Sequence, residues 1–174
     1  VSHSLDLRRY VRDIPDFPKP GILFRDVTPL LGDAQALPAA VAALADPFRK
    51  EGIEQVLGIE SRGFVLGVPV AIALGTGFTM IRKKGKLPHS TTSVTYDLEY
   101  GTDRLEMHAD AVAPGEKVLI VDDVVATGGT ALAAARMVER LGGSVSGFGF
   151  IIELTFLPGR ARLSGYEVES LIRY

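Results

Sequence analysis

Thirteen residues, Val118-Leu-Ile-Val-Asp-Asp-Val-Val-Ala-Thr-Gly-Gly-Thr130, constrain this chain more than any others. The run Lys117-Val-Leu-Ile-Val121 is apolar without alternation, the pattern of a strand covered on both faces, as in a parallel sheet. It delivers two adjacent carboxylates, Asp122 and Asp123, then a turn of small residues, then an alanine-rich helix. The first N–H groups of such a helix have no partners, and the positive end of its dipole points back at the turn, so the turn is an anion site. Gly128 and Gly129 let the backbone approach a phosphate closely, and the hydroxyls of Thr127 and Thr130 add hydrogen-bonding groups. Two carboxylates repel the same phosphate, so Asp122 and Asp123 must face something else: ribose hydroxyls or a divalent cation.

Competing phosphate motifs fail. No Lys follows the glycines as a nucleoside-triphosphate loop requires, and Gly147-Phe-Gly-Phe lacks the third glycine of a dinucleotide fingerprint. With 19 Lys+Arg against 21 Asp+Glu the net charge is 19 − 21 = −2, which gives no global attraction for nucleic acid or an anionic membrane. Zero cysteines exclude a disulfide scaffold, a thiolate zinc site and a cysteine nucleophile, and three scattered His do not make a metal cluster.

At 174 residues and 47% apolar content a single folded domain is expected, with no linker or internal repeat. The longest apolar stretch, Phe64 to Leu74, is broken by Gly67 and Pro69 and falls short of the roughly 20 residues that cross a bilayer. No charged segment followed by an apolar signal core opens the chain, so a cytoplasmic protein is expected.

Along the chain, Ser4 to Arg12 predicts one short capped helix, and Pro15, Pro18 and Pro20 predict a stiff extended flap from Asp16 to Arg25. The spacing of Leu37, Val41, Leu44 and Phe48 predicts an amphipathic helix from Gln35 to Lys50. A strand at Gln55–Glu60, a helix at Phe64–Leu74 and a strand at Phe78–Arg82 make a strand, helix, strand unit. Between Lys83 and Asp110 a polar, Tyr- and Thr-rich excursion alternates at Ser93–Leu98 and Arg104–His108, as a hairpin would, and is a candidate mobile loop. A helix from Gly128 to Leu141 stops at Gly142-Gly143, and strands follow at Val145–Leu154 and Glu167–Ile172. The alternation predicts an α/β fold, a mostly parallel twisted sheet flanked by helices, with ligands at the carboxyl ends of the strands.

The thirteen-residue segment resembles, at every position, the phosphoribosyl diphosphate (PRPP) motif of the type I phosphoribosyltransferases. Further blocks resemble the members of that family that act on adenine: Phe17-Pro-Lys-Pro-Gly-Ile-Leu-Phe-Arg-Asp26, Glu60-Ser-Arg-Gly-Phe64, Arg82-Lys-Lys-Gly-Lys-Leu-Pro88, Leu98-Glu-Tyr-Gly101 and Glu153-Leu-Thr155. The resemblance implies Mg²⁺-dependent transfer of phosphoribose from PRPP to adenine, giving AMP and pyrophosphate, in a protein that is usually a homodimer. It implies a type I phosphoribosyltransferase fold with an N-terminal hood (residues 1–33) over the base and a flexible catalytic loop within 83–108.

By the same resemblance Asp122 and Asp123 hold the ribose 2′ and 3′ hydroxyls, and Ala126, Thr127, Gly128, Gly129 and Thr130 hold the 5′-phosphate. Ser61 and Arg62, after a peptide that is often cis, meet the diphosphate together with Lys83 or Lys86. Phe24 stacks on adenine while the backbone of Leu23 and Arg25 reads its edge. Glu99, beside Tyr100 on the closing loop, lies near the purine N7, and Glu99 and Arg62 are the implied catalytic pair. Mg²⁺ is carried mainly by PRPP and pyrophosphate, with Asp122 and Asp123 as its candidate protein contacts. Transfer to another purine base, or PRPP sensing without catalysis, are the alternatives; 174 residues leave no room for the helix-turn-helix domain of a regulator.

Overall fold

The structure is a computed structural model that describes residues 5–97 and 102–174. A single 3₁₀ turn (Leu7–Tyr10) leads to a hairpin of β1 (Arg12–Ile14) and β2 (Phe24–Asp26), then to α1 (Thr28–Leu31) and α2 (Ala36–Ala45). The body continues with β3 (Gln55–Ile59), α3 (Arg62–Leu74), β4 (Gly77–Lys83), β5 (Thr91–Asp97), β6 (Thr102–His108) and β7 (Lys117–Val125). It closes with α4 (Gly129–Arg140), β8 (Ser144–Glu153), α5 (Gly159–Arg162) and β9 (Val168–Arg173).

Seven strands form one sheet in the order β5-β6-β4-β3-β7-β8-β9. The pairs β3–β4, β3–β7, β7–β8 and β8–β9 are parallel, so the expected mostly parallel sheet is present. Strand β7 shows why its sequence does not alternate. Val118 and Ile120 pack into the layer under α4, with Met137, Val138, Phe148 and Phe150. Leu119 and Val121 point the other way, into the layer shared with Leu44 of α2 and Leu66 and Val70 of α3. All four β7 side chains are fully buried, which fits a strand whose two faces both contribute to hydrophobic burial.

Several sequence expectations are corrected. The N-terminal helix is only a 3₁₀ turn capped by Asp6, because the chain turns at once into β1, and Ser4 lies outside the described residues. The proline flap is not one extended path but a hairpin, with Arg12 opposite Asp26 and Ile14 opposite Phe24. Pro18 and Pro20 sit in the connecting turn, where a missing N–H costs nothing, and the turn is closed by Phe17 N–H to Ile22 C=O (3.2 Å) and Gly21 N–H to the Asp16 carboxylate (2.7 Å). The helix expected through Lys50 ends at Ala45, and Pro47 sits in a 3₁₀ turn at Asp46–Phe48. The polar excursion is the expected hairpin, and it belongs to the sheet: β5 pairs along β6, which pairs antiparallel to β4 through Arg82 and Lys83. The short helices α1 and α5 have no counterpart in the sequence expectations; one turn is too short to show a period.

Candidate active site

The carboxyl ends of β3, β4 and β7, the hood strand β2 and the β5–β6 hairpin enclose a cleft of about 710 Å³. This is where parallel α/β sheets place ligands. The turn that the sequence marks as a candidate phosphate site borders this cleft. Strand β7 ends within the motif, and Gly128, at φ +77°, turns the chain into α4, whose first residue is Gly129. Ala126 and Thr130 face the cleft, while Thr127, Gly128 and Thr130 line an adjoining hollow of about 100 Å³.

A second constraint on this turn comes from a helix the sequence did not announce. A Cβ on Gly128 would lie 2.8 Å from the Gly159 carbonyl, and one on Gly159 would lie 2.3 Å from that of Ala126. Helix α5 therefore packs backbone to backbone under the phosphate turn. It is pinned there by Arg160, which donates to both oxygens of buried Glu153 at 2.8 and 2.7 Å, with Ser170 donating as well and Arg173 at 3.3 Å. Hydrogen bonding from Arg160 outweighs burial and holds the Glu153 carboxyl down at about 2. In the sequence Glu153 stands out only as part of a family block and as a carboxylate closing the apolar run of β8.

The acidic pair is asymmetric. Asp123 is buried, 5% exposed, and receives a hydrogen bond from Nε of Arg62. Asp122 accepts the Asp123 backbone N–H at 2.9 Å, and burial together with the neighbouring charge pushes its carboxyl well above the usual range. Burial pulls the Arg62 guanidinium down, but its bond to Asp123 and the charges of Asp122 and Asp26 outweigh this and raise it.

Each of the other expected cations is also held by a carboxylate. Lys83 donates to Asp103 at 2.8 Å, and the Tyr96 hydroxyl reaches the same oxygen at 3.3 Å. Lys86 pairs with Glu60, which also accepts the Lys83 backbone N–H at 2.9 Å and Arg82 Nε at 3.4 Å. Burial raises the Glu60 carboxyl, yet these donors outweigh it and bring it to about 2. The Arg62, Lys83 and Lys86 side chains line the cleft and remain 47–53% exposed although each is paired. Glu60, Tyr96 and Asp103 line the cleft beside Ser61; Glu60 opens the Glu60-Ser-Arg-Gly-Phe64 block, whereas no sequence motif contains Tyr96 or Asp103, whose roles arise from pairing across strands. The peptide between Glu60 and Ser61 is cis, as the resemblance implied.

The hood supplies the remaining wall. Leu23, Phe24 and Arg25 all line the cleft, and the Phe24 ring is braced by Phe17 at 5.2 Å and 72°. Glu99 and Tyr100 lie outside the described residues; Tyr96 and Asp103, on the strands either side, face the cleft. Among the described residues no three His, Cys, Asp or Glu side chains converge on one point. The two hard oxygen donors of Asp122 and Asp123 suit a cation that takes its other ligands from phosphate and water.

The phosphoribosyl transferase domain model matches residues 31–157. The chain is 56% identical over 171 residues to the adenine phosphoribosyltransferase of Desulfitobacterium hafniense, covering 98% of this chain and 99% of the relative. It superposes on the crystal structure of adenine phosphoribosyltransferase from Thermoanaerobacter pseudethanolicus with a TM-score of 0.94 at 50% identity, over 97% of this chain and 98% of the other. The Saccharomyces cerevisiae enzyme, crystallised with adenine and an imino-altritol bisphosphate, gives a TM-score of 0.90 at 40% identity, over 95% and 96%.

Proposed function

This chain belongs to the phosphoribosyltransferase family, among the adenine phosphoribosyltransferases, and we propose that its cleft carries out their purine-salvage reaction: phosphoribose passes from PRPP to adenine, giving AMP and pyrophosphate. One observation carries the division of labour. The glycine turn, an acidic pair, three half-exposed paired cations and an aromatic-bearing hood strand share a single cleft.

In this reading the N–H groups from Ala126 to Thr130 hold the 5′-phosphate, and Asp122 and Asp123 hold the ribose hydroxyls. The diphosphate displaces Asp123, Asp103 and Glu60 from Arg62, Lys83 and Lys86, so these cations neutralise the charge that builds as the anomeric C–O bond breaks. Asp122 and Asp123 would be the protein contacts of a Mg²⁺ carried in with the diphosphate, which would add charge neutralisation there. Positive charge then develops at the anomeric carbon, and the carboxylates favour it while keeping the sugar aligned with N9 of adenine. Phe24 stacks on the base, and the backbone at Leu23, just before β2, and at Arg25 within it offers one carbonyl and one N–H to its amino group and N1. A 6-oxopurine reverses both and leaves buried polar groups unpaired, a mismatch worth about 10⁴-fold in discrimination. Incubation with PRPP, Mg²⁺ and each purine base in turn tests this. AMP from adenine, abolished by EDTA, is expected; hypoxanthine turnover within tenfold of adenine's would overturn the base assignment.

The same proposal includes a homodimer in the cytoplasm. PRPP and AMP are charged esters that do not cross bilayers, and no helix among the described residues is long and apolar enough to span one. Val65, Val68 and Ile72 stand 50%, 41% and 75% exposed along one side of α3, next to Met80 at 42% on β4, an apolar strip suited to a second copy. Sedimentation equilibrium is expected to give twice the chain mass, with Val68→Glu plus Ile72→Glu shifting it to one; a monomeric unmodified protein at micromolar concentration would refute this.

A further inference from the structure

The hood β1–β2 is a separate two-stranded sheet that, among the described residues, has no strand pairing to the body, yet its β2 edge lines the cleft. Something else must set its distance from the ligand. The side chain of Arg25 does not point to solvent: it is 18% exposed, pairs with Asp13 of β1, and places its guanidinium carbon 3.8 Å from the centre of the Tyr174 ring. Arg8, just before the hood, lies 4.5 Å from that same ring and donates to the Arg173 carbonyl. Two cations from the N-terminal segment thus meet one aromatic ring.

Tyr174 is itself tied to the main sheet. Its N–H donates to the Glu153 carbonyl at 2.9 Å, and its carbonyl accepts from the Thr155 N–H at 2.8 Å and hydroxyl at 2.6 Å. Leu154, between these two anchors, lines the cleft. A continuous path of contacts therefore runs from the ends of β8 and β9 through the Tyr174 ring to Arg25, whose own backbone is in the hood strand.

We propose that Tyr174 is a positioning residue for the base: by holding the Arg25 guanidinium against the sheet, its ring sets β2 at the separation adenine needs, without acting on PRPP. This rests on the hood being the base site. Cation–π contacts of this kind are worth up to about thirtyfold in an equilibrium when partly desolvated.

Steady-state kinetics on Tyr174→Ala, Tyr174→Leu and Tyr174→Phe, with Phe24→Ala alongside, separate the possibilities. Tyr174→Ala and Tyr174→Leu are expected to raise KM for adenine about three- to thirtyfold, with KM for PRPP within about twofold of the original. Tyr174→Phe keeps the ring face and should restore adenine KM to within about twofold. The proposal fails if both KM values rise together, if adenine KM stays unchanged in Tyr174→Leu, or if the Leu and Phe variants behave alike. Should Tyr174→Ala not fold, the Leu against Phe comparison decides. Phe24→Ala distinguishes the underlying reading: if it leaves adenine KM unmoved, hood and proposal fall together, whereas if it raises that KM and Tyr174→Leu does not, only the role of Tyr174 falls.

Discussion

A double variant, Asp122→Asn with Asp123→Asn, is expected to fold and to lose roughly 10²–10⁴-fold in kcat/KM for PRPP. Hydrogen bonds to charged groups contribute about 1.5–3 kcal/mol each, and two are removed at the sugar. Folding should survive for a reason specific to this site. Asp122 carries a carboxyl that burial and the Asp123 charge already disfavour in its ionised form, so a neutral amide of the same shape relieves a cost. Replacing Asp123 takes away the partner of Arg62, but that guanidinium is 47% exposed and can turn to water. Circular dichroism and a melting curve establish the fold, and PRPP titration measures the loss. Near-normal turnover by the folded double variant would remove the acidic pair from the sugar site.

The second large effect is expected at Glu99. As the glycosidic bond forms at N9, electrons leave the imidazole ring; in reverse, AMP cleavage leaves an adenine anion that a proton at N7 stabilises. A carboxyl group brought there and shielded from water can supply that proton, and Gln keeps its size and a donor without a transferable proton. General acid catalysis contributes typically 10²–10⁴-fold, so Glu99→Gln should lower kcat by about that range with PRPP affinity little changed. The assignment comes from the Leu98-Glu-Tyr-Gly101 block and from the cleft-facing Tyr96 and Asp103 on the flanking strands. Single-turnover rates are the right readout, because product release can hide a slowed chemical step. A change below about threefold under those conditions would make Glu99 a surface charge.

Much of this site could be read from one dimension because its chemistry sits in contiguous segments. The β7 strand, the carboxylates and the glycine turn are adjacent along the chain, so hydrophobic pattern and spacing were enough to place an acidic pair and a glycine turn into a helix at the end of a buried parallel strand. The β3–α3–β4 unit was legible for the same reason, its apolar runs being long enough to show their period. Where proline and glycine acted on their neighbours alone, the expectations held less well: the prolines of the hood signalled rigidity, but whether two short flanking segments pair as strands depends on their meeting across the turn.

What the sequence determined by itself, then, was the α/β class, the glycine turn between β7 and α4 and the types of residue around it. Tertiary structure decided the rest. It assigned Arg62 to Asp123, Lys83 to Asp103 and Lys86 to Glu60, partners 61, 20 and 26 residues apart in the chain. It seated Gly159 under Gly128 and put Tyr174 against Arg25. The physical reason is the range of the forces involved. Strand and helix periodicity, capping and turn preference act over a few residues and leave a trace in local order, whereas an ion pair, a backbone-to-backbone contact or a ring under a guanidinium needs only proximity in space, which the sheet order supplies and the spacing of residues along the chain does not.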